Sequence, residues 1–147
     1  MKHIIFVSTL FALILSACGN APAVAPTAAP VTVSLPVIQV DTQHMTTPNL
    51  AYEIPAGPGF VLDASNYDFG TASGPSVVQV VMNSRAYQGT WASGEKLQAV
   101  RAADLTPIAG AKPISNFDSG QQLIVAIGTL SANGRFAPIW VGVVNVK

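Results

Sequence analysis

Asn133-Gly134 separates two apolar runs, Gln121 to Leu130 and Phe136 to Val146, and no other stretch constrains the fold as tightly. An Asn-Gly pair suits a two-residue type I′ turn, whose two central positions both need φ > 0. The flanking runs are rich in Val and Ile, which favours strands. A C-terminal antiparallel hairpin follows. With the turn setting the register, Ala132 faces Arg135, and counting outward puts Ile127 opposite Trp140, Val125 opposite Gly142 and Leu123 opposite Val144. On the other face Ala126 meets Val141 and Ile124 meets Val143. Gly142 then leaves room beside the Trp140 ring, a core position. Pro138 falls opposite Thr129 and has no N–H to donate, so the last strand near it is expected at a sheet edge or beside a bulge.

Both faces of this hairpin are apolar, as are both faces of Val77 to Met82 apart from Gln79. A two-layer sandwich normally wets one face of each sheet, which produces alternation. Two arrangements remain open. Long loops cover the outer faces, or part of an outer face meets a partner.

The other strand candidates are short and lie between Gly and Pro turns. They are Val37 to Val40, with Val31 to Leu35 a possible start; a short strand around Leu50 to Ile54 inside a loop from Asp41 to Gly59; Phe60 to Leu62; Ser76 to Asn83; and Glu95 to Arg101. Ala102 to Leu105 suits one helical turn, and Thr106 to Gly120 reads as loop. The expected fold is all-β, an immunoglobulin-like β-sandwich of about seven or eight strands ending in the hairpin. Tyr67-Asp-Phe-Gly-Thr-Ala-Ser-Gly74, followed by the valine-rich Val77 to Asn83, resembles the strand, turn, strand pattern of bacterial immunoglobulin-like modules of the ASPM and hydin type. That resemblance implies a sandwich and brings no catalytic residues.

The N-terminus has a different character. Lys2 and His3 precede an almost wholly apolar run, Ile4 to Leu15, too short for the roughly 20 residues a membrane span needs. Leu15-Ser16-Ala17-Cys18 follows and resembles the lipobox of bacterial lipoproteins. The resemblance implies a diacylglycerol on the Cys18 sulfur, cleavage just before it, and an extracytoplasmic protein anchored by lipid to the cell membrane or outer membrane. Gly19 stands where the family's inner-membrane retention signal has Asp, which favours the outer membrane of a two-membrane cell. Prolines at 22, 26, 30 and 36 then favour extended chain, a spacer of about 3.1 Å per residue. The expected organisation is a signal peptide over 1–17, lipidated Cys18 with a Pro/Ala linker over 18–36, and the β-sandwich over 37–147.

Seven basic and seven acidic residues make the chain neutral, and loss of Lys2 with the leader leaves a net charge of −1. That balance argues against nucleic acid as a partner. The chain holds one cysteine, so a lipid on Cys18 leaves no thiol for disulfides, catalysis or metal. His44 is the single histidine outside the leader, and it sits in a polar stretch with no Gly-x-Ser-x-Gly elbow, against serine hydrolysis. His44-Met45 lacks the second histidine and thiolate of a blue-copper site. Asp41, Glu53, Asp63, Asp68, Glu95, Asp104 and Asp118 are the carboxylates from which a glycosidase pair would have to come. Asp63-x-Ser65-Asn66-x-Asp68 offers oxygens either for Ca²⁺ or, the simpler reading, for Asx-type turns. No cofactor and no metal is expected. Arg85, Tyr87 and Trp91 are the candidate ligand-binding residues, because these types dominate binding hot spots; the alternative for Trp91 is a core anchor between sheets. The function expected is a non-catalytic binding or assembly module with an envelope protein partner, such as an accessory subunit of a membrane complex. Capture of a small molecule or sugar by the aromatics is the alternative, and a carboxylate-pair hydrolase the third.

Overall fold

A computed structural model describes residues 34–47, 50–70 and 74–147. The leader, Cys18 and the linker up to residue 33 lie outside the described residues. Among the described residues nine strands run from β1 (Val37–Gln39) through β2 (Ala51–Ile54), β3 (Gly59–Asp63), β4 (Val77–Met82), β5 (Arg85–Thr90), β6 (Leu97–Arg101), β7 (Thr106–Pro107) and β8 (Gln122–Leu130) to β9 (Phe136–Val146). A four-residue helix, α1 (Gln43–Thr46), joins β1 to β2, and a 3₁₀ turn, Ala102–Asp104, follows β6. Ser34 to Pro36 are not strand, so the first strand starts after Pro36.

The strands form two sheets, β1-β3-β6 and β2-β9-β8-β4-β5-β7. The fold is an all-β sandwich. Consecutive strands β3 and β4 lie in different sheets, as do β5 and β6. In the larger sheet β9, β8, β4 and β5 lie side by side in that order, and in the smaller one β3 pairs with β6. Two edges depart from an all-antiparallel plan, since β1 runs parallel to β3 and β2 parallel to β9.

Between the sheets lies one core. Ile38, Phe60, Leu62 and Val100 come from the smaller sheet; Val78, Val80, Leu123, Val125, Ile127, Trp140 and Val144 come from the larger. The hairpin pairs as expected over its inner half, with Ile127 opposite Trp140, Val125 opposite Gly142 and Leu123 opposite Val144. A Cβ on Gly142 would overlap the Trp140 ring, the room that the register required.

The turn itself differs. Gly134 has φ +79°, whereas Asn133 is not in the left-handed region, and Ser131 closes on Arg135, so the loop has three residues. That shifts the outer pairs by one, leaving Pro138 opposite Gly128 rather than Thr129. An irregularity between Ile127 and Gly128, where Ile139 is the extra residue, shifts the register back. Two one-residue changes cancel, which is why the core pairs agree with a two-residue turn. Pro138 lies beside this bulge, on a part of β9 that β2 does not reach, since β2 pairs with Val143 to Val146 alone.

β5 has no counterpart among the expected strands. Asn83 and Ser84, at φ 49° and 58°, form the left-handed pair of a type I′ turn that β4 needs to reverse into β5. The cue was there in Asn83, but the second position carries Ser instead of Gly.

Candidate functional site

The aromatic surface candidate is not assembled. Tyr87 pairs with Val80 on the inner face of β5 and is 3% exposed. Trp91 is also 3% exposed, packs edge-on to Phe69 at 5.7 Å, and donates from Nε1 to the Glu95 carbonyl at 3.0 Å. Arg85 alone of the three is exposed. Arg85 and Tyr87 share one face of β5, but Arg85 sits at the turn end of the strand, where that face is open to solvent, whereas Tyr87 and Trp91 lie over the core, and burying two large rings stabilises the core far more than exposing them would. Neither ring presents a face to a ligand.

His44 is not a loop residue but a buried one, 9% exposed on α1. Its Nδ1 lies 2.8 Å from Asp41 Oδ1, and its ring stacks on Tyr52 with centroids 3.4 Å apart. Tyr52 in turn donates its hydroxyl to the Gln39 carbonyl, and Trp140 Nε1 donates to the Asp41 carbonyl at 2.8 Å. Burial pushes the Asp41 carboxyl up, yet the His44 side chain and backbone N–H groups overcome it and hold the pKa below the ordinary value. Burial, then the Asp41 charge, raises the Tyr52 phenol well above its usual range. This cluster ties the β1–β2 connection to β9, with the imidazole used as a packing surface and a hydrogen-bonding group.

Asp41 and Asp63 line one open depression together with Asn66 and Tyr67. Asp63 accepts from the Ser65 N–H at 2.9 Å and from Gln39 Nε2 at 2.8 Å, and donors from Ser65 and then Gln39 lower its pKa. A glycosidase pair needs one carboxyl raised so that it carries a proton at neutral pH. Both of these are lowered. Asp68 accepts from the Gly70 N–H at 2.9 Å, so Asp63 and Asp68 each close an Asx-type turn, as the simpler reading of that stretch expected. Among the described residues, no three His, Cys, Asp or Glu side chains group to hold a metal.

What stands out is the outer face of the six-stranded sheet. Ala51 faces Val143, Val143 faces Ile124, Ile124 faces Val81 and Val81 faces Ala86. An apolar row therefore crosses five strands. The next row runs Val141, Ala126, Gln79 and Gln88, and carries amides but no charge. Ile124 is 44% and Val141 37% exposed, so among the described residues no loop covers them. Of the long loops, the stretch from Thr106 to Gly120 turns Phe117 inward: it is buried against Phe60, with centroids 5.5 Å apart, and its backbone bridges to Gly57. The missing alternation of β8 and β9 was the sequence signal for this face.

Comparison with family models, with curated proteins and with solved structures returns no match. Among the described residues no helix is long and apolar enough to cross a membrane.

Proposed function

We propose that this chain is a bacterial envelope lipoprotein, tethered outside the cytoplasm through lipid on Cys18, whose β-sandwich is a non-catalytic protein-binding module. The uncovered apolar row on the larger sheet carries this reading. A face of that kind costs solubility in isolation and is useful when another surface packs on it. The lipobox resemblance of Leu15 to Cys18 supports the tether, and two or three acyl chains hold a protein stably where one does not. Burial of Tyr87 and Trp91 weighs against the alternative, capture of a sugar or small molecule by stacking.

Labelled fatty acid and membrane fractionation test the tether. The native chain should carry the label and sediment with membranes, and Cys18→Ser should lose both. Equal membrane retention of Cys18→Ser, with no label on the native chain, overturns the anchor. Mild-detergent extraction tests the binding. The native chain should elute bound to protein, and Ile124→Lys should elute free; a native chain eluting as a bare monomer removes the binding role.

A further inference from the structure

We infer that the outer face of the six-stranded sheet is a self-association surface, and that the chain it accepts is a second copy of itself. The inference rests on the binding-module reading above and names its partner. Strands about 4.8 Å apart make the five-strand row about 24 Å wide, and the paired length of β8 and β9 gives a similar height. The face therefore offers about 600 Å² per copy, or about 1,200 Å² between two, the lower end of specific interfaces.

Charge favours a copy over a foreign protein. The two central rows hold no ionised side chain, and the nearest acid on this face, Glu53, is already paired with Lys147 at 2.8 Å. Two such faces meet without like-charge repulsion, and neither carries a charge pattern that would select another partner. Ile124 occupies the middle of the five-residue row, so a two-fold axis through the face sets it against its own counterpart.

The edges point the same way. β7 has two residues and ends in Pro107, and the free stretch of β9 carries Pro138 and the bulge. Those features block strand addition at the edges. The face has no comparable guard. Copies tethered in one membrane also share an orientation and a raised local concentration, so a small footprint suffices.

Benzoylphenylalanine at position 124 of the intact chain, irradiated in its own membranes, tests this. The expected adduct has twice the chain mass and joins position 124 to this chain's own β4, β8 or β9; the same probe at Asn133, on the hairpin tip, should give none. Adduct to a different protein overturns the second copy and leaves the binding module standing. Adduct to lipid alone, or none, overturns both. An equal dimer yield from Asn133 overturns the assignment to this face. Ile124→Lys, at an exposed position where folding is checked by circular dichroism, should lower the dimer fraction in detergent at least tenfold; an unchanged fraction also overturns it.

Discussion

Gly142 has no side chain because the Trp140 ring lies against its α-carbon, and a methyl there would overlap that ring. Trp140 cannot move aside cheaply. It is fully buried, faces Ile127, and its Nε1 is held by the Asp41 carbonyl at 2.8 Å. Gly142→Ala should therefore destabilise by about 2 kcal/mol, the cost of overpacking a closed core, and show as a lower urea midpoint with an unchanged slope. Asp41 gives a second prediction at this scale. Its pKa is lowered on folding from 3.8, so the stability it contributes is present above that value and lost as pH falls through its folded pKa. The pair is partly exposed and solvent screens it, so the contribution stays under about 1 kcal/mol. Asp41→Asn should melt slightly below the native chain at neutral pH, and the gap should narrow as pH falls below 3.8 and through the folded pKa of Asp41, where the aspartic acid, like the amide, is uncharged. A gap that stays constant across that range would mean the aspartate acts through shape alone.

The C-terminal hairpin shows what sets register in this fold. Its loop has three residues where Asn133-Gly134 suggested two, yet the core pairs are unchanged because Ile139 bulges out in compensation. Buried faces hold β8 and β9 in place, since a one-residue slip would turn Leu123, Val125 and Ile127 outward. Deleting Ala132 should convert the loop into a two-residue Asn-Gly turn with Ser131 still facing Arg135. The variant should fold, keep Trp140 emission blue, and change stability by less than about 1 kcal/mol; a red-shifted Trp140 would show that the loop, and not the core, dictates pairing. The same logic separates what was legible in the sequence from what was not. The long apolar strands, the Gly142 vacancy and the irregularity at Pro138 follow from local chemistry and were readable. β5 was not, because its turn uses Ser84 in place of Gly and its inner face, Tyr87, looks like a binding aromatic until Val80 is known to face it. The candidate site was half legible: the lost alternation of β8 and β9 left loop cover and a partner surface both open, and only the path of the 106–121 segment, with Phe117 turned inward, shows that this segment does not cover the face.

At the scale of the whole domain, neither sheet encloses a core alone. The smaller sheet contributes Ile38, Phe60, Leu62 and Val100 to the same cluster that holds the inner faces of β4, β8 and β9, and the chain crosses between sheets from β1 to β2, β2 to β3, β3 to β4, β5 to β6 and β6 to β7. Losing either layer exposes the apolar side of the other, so the two should unfold together. The tryptophans report on this independently, because Trp91 touches Phe69 while Trp140 lies near Tyr52 at 6.2 Å. Trp91→Phe leaves Trp140 as the single emitter, and Trp140→Phe leaves Trp91. Each substitution opens a cavity and, for Trp140, removes the bond to Asp41, so each midpoint should fall by an amount equivalent to about 1–3 kcal/mol. The decisive comparison is internal to each variant: fluorescence and far-UV circular dichroism followed through one urea titration should share a midpoint and a slope. If the Trp91 environment melted at lower urea than the strands seen by circular dichroism, while Trp140 melted with them, the β5–β6 crossing would be a separable unit and the shared core a weaker bond between the sheets than its composition requires.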